Sequence, residues 1–248
     1  MSYYPAAAML PTPLLSVIIP TLNEAEVLAR TLTHVASHIG PGITYEVLVC
    51  DGGSTDGTTA AAEAHQARVL RAAVRGRAAQ LNLGARHASG EILYFLHADT
   101  LPPPGFGQLI RQYHQRGYPA GCFRLTFPVR HWILRTSSWA SRFNAPNFQF
   151  GDQSLYVQRT VFQHFGPYDE SLLLMEDVEL VTRLKRHVRF ALLPFSVVTS
   201  ARKYLAYGIV RTELTHLVVH TLYVLGTRQR TIAKVYKNLL RQRRQPLV

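Results

Sequence analysis

The chain has 248 residues, is 47% hydrophobic and 17% charged, and sets 27 Lys and Arg against 15 Asp and Glu for a formal charge of +12. That length suits one large domain or a domain with an appendage, and the apolar content suffices for a sizeable core, which excludes wholesale disorder. Two cysteines exclude a disulfide framework and a four-thiolate zinc site and point to a reducing compartment, and no apolar stretch reaches the roughly 18–20 residues that span a bilayer.

Residues 1–13 form an N-terminal extension whose three prolines and lack of a basic stretch do not read as a signal peptide. Residues 15–20 are a β-branched run closed by Pro20, a buried strand. Asn23 is placed to cap the following helix, with Glu24 and Glu26 in its first turn and Val27, Leu28, Leu32 and Val35 at helical spacing. Gly40-Pro41-Gly42 stops it. Strand 46–50, helix 58–66, strand 68–70, helix 77–87 and strand 92–96 follow. Strands alternating with helices predict right-handed βαβ units, hence a mostly parallel sheet covered by helices on both faces. Beyond Pro102-Pro103-Pro104 the pattern predicts helix 106–115, strand 121–127, an aromatic-rich helix 132–143, strands at 155–157 and 190–193, and a helix over 178–187.

The charge is uneven. Residues 1–200 hold 17 basic and 14 acidic side chains, whereas 201–248 hold 10 basic and one acidic, Glu213. A near-neutral body of 14–203 therefore carries a basic tail of 204–248. Within the tail, 209–225 is apolar with Leu214, Leu217, Val218, Leu222 and Leu225 at helical spacing, and Gly226 breaks it. Ile232, Val235, Tyr236, Leu239 and Leu240 then form a stripe among Arg228, Arg230, Lys234, Lys237, Arg241, Arg243 and Arg244. Such amphipathic helices either lie peripherally on an anionic membrane or pack their stripe on the body. No nucleic-acid partner is expected, because no aromatic–basic RNA motif appears.

In an open α/β sheet, ligands bind beyond the carboxyl ends of the strands, and four polar clusters fall at such ends. They are Pro20-Thr21-Leu22-Asn23-Glu24, the loop Asp51-Gly52-Gly53-Ser54-Thr55-Asp56-Gly57, His97-Ala98-Asp99-Thr100 and Met175-Glu176-Asp177-Val178-Glu179. Glycines let backbone approach a ligand, and a strand-end carboxylate such as Asp99 suits Mg2+ or Mn2+ bridging to a diphosphate. Each also has a plain reading: a turn with its cap for Asp51, and helix N-terminal charge for the 176–179 acids. Walker-type loops, Gly-x-Ser-x-Gly elbows and Cys-x-x-Cys pairs are absent.

In order and spacing, the stretches 17–24 and 49–57 resemble the family-2 inverting glycosyltransferases. Gly76-Arg77-Ala78-Ala79-Gln80-Leu81-Asn82, Phe95-Leu96-His97-Ala98-Asp99-Thr100, Gly151-Asp152-Gln153 and 174–180 are similar to a bacterial subgroup of small members. The resemblance implies a GT-A nucleotide-diphospho-sugar transferase fold over roughly 14–200, with C-terminal amphipathic helices. It implies a nucleotide-diphosphate sugar donor held by Pro20, Leu22, Glu24, Asp51, Gly53, Arg77, Gln80, Asn82 and Asp99, with Arg77 a phosphate clamp. It also implies a divalent cation, Mg2+ or Mn2+, on Asp99, a base at Asp177 beside Glu176, and an acceptor side at Asp152 and Gln153. His97 replaces the first acid of the family's Asp-x-Asp pair, as a second metal ligand or a hydrogen-bonding group. The Gln-x-x-Arg-Trp motif of processive synthases is replaced by Ser200-Ala201-Arg202-Lys203-Tyr204, which implies transfer of a single sugar to an unidentified acceptor, lipid-linked or apolar. The expected location is cytoplasmic, peripheral on the inner face of the membrane. A sugar nucleotidyltransferase and a basic nucleotide- or RNA-binding protein are the competing classes.

Overall fold

The computed structural model describes residues 13–143 and 151–240. At its centre β1 (Leu15–Thr21) lies between β2 (Tyr45–Asp51) and β4 (Ile92–Phe95), with β3 (Arg68–Arg71) outside β2, all four parallel. Alternation along β1 sends Val17 and Ile19 to one face and Ile18 to the other. The first face packs on α1 (Ala25–His38) and α4 (Phe106–Gln115) through Leu28, Leu32, Val35, Phe106 and Ile110. The second packs on α3 (Arg77–His87) through Ala78, Leu81 and Ala85. With both faces buried, the strands read as continuous apolar runs.

Beyond β4 the sheet departs from the parallel expectation. Its order is β3-β2-β1-β4-β7-β6-β8-β5, in which β7 (Leu155–Gln158) is antiparallel to both β4 and β6 (Ala120–Thr126). β6 and β8 (Phe190–Thr199) are parallel, and the two-residue β5 (Thr100–Leu101) is antiparallel to β8. The chain runs through α4, β6 and α5 (Trp132–Ala140) before β7 enters between β4 and β6 from the opposite end. β8 extends past the expected 190–193 although Pro194 lies inside it. The β6–β8 register slips between Cys122 and Arg124, so the missing proline N–H falls at a bulge.

α2 (Thr58–Ala64) follows β2, and its loop corrects the expected Asn23 cap. Asn23 adopts a left-handed conformation, φ 55°, and its side-chain oxygen accepts from Thr55 N at 2.9 Å. The start of α1 is served from the segment that follows β2 instead: Glu24 N donates to Thr58 Oγ1 at 2.9 Å and Ala25 N to Asp56 Oδ2 at 3.2 Å. The β1 and β2 loops are thus one interlocked unit.

The C-terminal part adds α6 (Arg159–Phe165), α7 (Glu176–His187), α8 (Arg202–Tyr207), α9 (Ile209–Val224) and α10 (Gln229–Leu239). α10 packs against α9 and buries Ile232 and Leu240, while Gln229 Oε1 accepts Leu173 N at 3.1 Å and Leu174 N at 3.3 Å. The stripe thus packs in part, chiefly on α9 of the same tail, with Ile232 and Leu240 buried and Leu239 38% exposed; Arg241, Arg243 and Arg244 lie outside the described residues. Among the described residues no helix is long and apolar enough to cross a membrane.

Candidate active site

A cleft of about 660 Å³ opens beyond the carboxyl ends of the parallel strands. Of the residues singled out from the sequence, Pro20, Leu22, Glu24, Arg77, Gln80, His97, Asp99 and Asp152 line it; Asp51, Gly53, Asn82, Gln153, Glu176 and Asp177 do not.

The cleft floor is held from below. Gln80 Nε2 donates to Thr21 O and Cys50 O, both at 2.7 Å, and so ties the ends of β1 and β2 together. Asp51 is buried and accepts Gly53 N and Ser54 N, each at 3.0 Å, which folds its own loop around Gly53 at φ 94°. Asn82 follows Gln80 by two residues on α3, about 200° around the helix, and faces away. Its amide instead grips the chain before α7, donating to Tyr168 O at 2.9 Å and accepting Tyr168 N at 2.9 Å. Gln153 is also buried, donating to Ser141 O at 3.2 Å. The expected acceptor pair therefore divides, with Asp152 on the wall and Gln153 inside it.

Arg77 opens α3 and stands between the cleft and the α7 acids. Its Nε donates to Glu176 Oε1, and its Nη2 to Asp177 Oδ2 at 3.2 Å. Glu179, the third acid, turns outward to Arg183 at 2.6 Å, the ordinary i,i+4 pair that helix-end charge predicts. Arg77 keeps part of its surface in water, but its guanidinium is paired with both Glu176 and Asp177. Burial raises the Glu176 carboxyl above the usual range against the opposing pull of Arg77, with Asp177's charge adding to the rise.

Arg77 Nη1 also lies 3.5 Å from His97 Nε2, and His97 Nδ1 lies 3.0 Å from Asp152 Oδ1. A guanidinium only donates, so Nε2 is the acceptor and the ring proton sits on Nδ1, donated to Asp152. Burial works to raise Asp152, but the hydrogen bond from His97 and the charges of Arg77 and Lys203 outweigh it and hold this carboxyl well below its ordinary range. Both His97 nitrogens are engaged, which supports its hydrogen-bonding role over metal ligation.

Asp99 and Glu24 converge on one cation that the sequence reading passed over. Arg202 Nη2 lies 2.6 Å from Glu24 Oε2 and 3.6 Å from Asp99 Oδ2. Two such carboxylates are the hard oxygen donors Mg2+ and Mn2+ take, and diphosphate oxygens and water complete such a shell. Asp99 therefore fits a divalent ion, although among the described residues no three His, Cys, Asp or Glu side chains form a ready-made cage. The opposite wall is C-terminal: Lys203, Tyr204 and Tyr207 from α8 and His216 from α9. Burial and the neighbouring Lys203 lower the His216 imidazole. The basic pair Arg202-Lys203 was the one local signal for this wall, and it read only as a missing motif.

The mixed sheet with helices on both faces and a cleft beyond its strand ends matches the GT-A fold of glycosyltransferase structures. The chain belongs to glycosyl transferase family 2, whose model matches residues 16–169. It is 29% identical over 198 residues to the glycosyltransferase AglE of Haloferax volcanii, covering 69% of this chain and 61% of AglE. It is 38% identical over 114 residues to the validoxylamine A glucosyltransferase of Streptomyces hygroscopicus subsp. jinggangensis, 44% of this chain and 27% of that protein. The chain thus spans under two thirds of the length of these relatives. Among solved structures, the mannosyltransferase PcManGT of Pyrobaculum calidifontis, in complex with GDP-Man and Mn2+, superposes with a TM-score of 0.67 at 21% identity. That match covers 92% of this chain and 70% of that one. TarS 1–349 of S. aureus with UDP-GlcNAc gives 0.63 at 15% identity, over 91% and 71%.

Proposed function

We propose that the protein is an inverting glycosyltransferase that moves one sugar from a nucleotide-diphosphate donor to an acceptor hydroxyl, with Asp177 as base. The carrying observation is Arg77, which sits on the cleft wall and holds Asp177 and Glu176 behind it. The acceptor oxygen forms a bond to the anomeric carbon from the face opposite the diphosphate, and the carbon–oxygen bond to the β-phosphate breaks. The nucleoside diphosphate leaves with that electron pair, the configuration inverts, and Asp177 takes the hydroxyl proton. Arg77 has the planar fork that suits phosphate, so the incoming diphosphate draws it off Asp177 and frees the carboxylate for the acceptor. Arg202 adds positive charge at the same end.

A divalent ion bound at Asp99 would supply Lewis-acid charge to the leaving diphosphate. GDP-Man with Mn2+ in the mannosyltransferase and UDP-GlcNAc in TarS support this donor class and metal. His97 orients Asp152 at the acceptor side. Residues 14–203 serve as the catalytic body and 204–248 as a basic tail that meets an anionic leaflet, where an apolar or lipid-linked acceptor is presented. Thermal-shift screening of nucleotide sugars with Mn2+ tests the donor class: a cognate nucleotide sugar raises the melting temperature, and no shift with any of them removes the reading.

A further inference from the structure

α9 is inverted relative to an ordinary surface helix. Its buried positions include Thr212 and Thr215, whereas Val210, Leu214, Leu217 and Leu225 are 55%, 56%, 61% and 73% exposed. The threonine hydroxyls are satisfied within the helix, Thr212 Oγ1 on Gly208 O and Thr215 Oγ1 on Arg211 O, each at 2.8 Å, so they face the body without an unpaired group. At about 100° per residue, Val210, Leu214, Leu217, Val218 and Leu225 fall within about 100° of arc, the width of a packed helical face.

The surroundings say what covers this stripe. Exposed Arg230, Lys234 and Lys237 stand on α10, with exposed Arg228 just before it, and α10 packs beside α9. The sole acid of residues 201–240, Glu213, is taken by Ser137 Oγ of α5 at 2.8 Å. α5 itself exposes Trp132 (71%) and Trp139 (59%) among Arg130, Arg135 and Arg142. Apolar side chains, tryptophans and cations without free acids are the composition of an element lying in an anionic lipid interface.

We infer that α9, flanked by α5 and α10, seats the protein on an anionic leaflet, with the Leu214–Leu217 stripe at the boundary of headgroups and acyl chains. α8 and α9 present Tyr204, Tyr207 and His216 to the cleft, so docking brings this wall of the cleft to the lipid, where an apolar acceptor would enter; that last step alone rests on the transferase reading. The docking surface is α9 itself, rather than the α10 stripe, whose Ile232 packs inward.

Flotation of the full chain with vesicles of phosphatidylcholine and phosphatidylglycerol in equal parts tests the inference, against vesicles of phosphatidylcholine alone. The protein should float with the anionic vesicles, and Leu214→Glu/Leu217→Glu should weaken this by about ten-fold or more. Circular dichroism and binding of a nucleoside diphosphate check the fold of the variant. If it misfolds, Leu217→Gln alone, with an intact spectrum, should still weaken flotation. The inference is overturned if wild type does not float with anionic vesicles, or if a folded variant floats equally well. It is also overturned if light scattering finds a dimer that the double variant dissolves, since a second copy then covers the stripe. Loss of transferase activity with flotation intact would remove the enzymatic reading and leave the docking surface standing.

Discussion

Arg77 and Asp177 lie 100 residues apart in the chain and meet at 3.2 Å, with the same guanidinium donating to buried Glu176. The first turn of α3 and the first turn of α7 are thereby joined across the wall of the cleft. One cation balances two carboxylates, one of them almost without solvent.

Removing that cation leaves Glu176 uncompensated. Arg77→Ala should cost about 2–3 kcal/mol in urea unfolding near neutral pH, less than a fully buried pair because Arg77 keeps part of its surface in water. The sign with pH follows from Glu176. A carboxyl raised in the folded state is most tolerated below its unfolded value and costs stability as pH climbs through its folded value. The deficit of Arg77→Ala should therefore be larger at pH 8 than at pH 5. An equal deficit at both would mean that the pair carries no buried charge.

Asp152 titrates in the opposite sense. Its folded-state carboxyl is depressed, so its contribution is present above the ordinary value of about 3.8 and is lost as pH falls through the lower folded value. Asp152→Asn should flatten the acid limb of stability between about pH 4 and pH 2. An unchanged slope in unfolding titrations would contradict the His97–Asp152 pairing.

Arg202 is the resident counter-ion of Glu24 and Asp99. Arg202→Gln leaves both carboxylates without it, so Mn2+ measured by calorimetry should bind up to about fivefold more tightly, the effect of one exposed pair. Unchanged Mn2+ affinity would separate Asp99 from any cation site shared with Arg202.

Gln80 closes two backbone acceptors beneath the cleft floor. Gln80→Leu leaves Thr21 O and Cys50 O without this donor and should cost about 2 kcal/mol in denaturant unfolding. A variant as stable as wild type would show that the strand ends do not need the clamp.

The parallel half was readable because its signals are local. α3 and α4 begin and end where their glycine-flanked apolar patterns begin and end. Asn23 misled because a left-handed residue beside a cap looks like the cap, while the oxygens that serve α1 come from Asp56 and Thr58, in the loop after β2 and the first turn of α2. The clusters around residues 21, 99 and 176 were legible by composition, but their partners were not. Arg202 reaches Glu24 across 178 residues, and Arg77 reaches Asp177 across 100. Such pairs depend on helix direction and sheet order. Spacing alone also could not turn Asn82 away from the cleft while keeping Gln80 beneath it; the 200° between them on a helix does that.

The role of Asp177 is tested most directly by nucleoside diphosphate release from the cognate donor in Asp177→Asn, with donor binding followed by calorimetry. The expected result is a fall in kcat of about 10²–10⁴-fold with donor affinity largely retained, the size of a lost general base. Turnover equal to wild type in a folded, donor-binding Asp177→Asn would contradict it and remove Asp177 as the base.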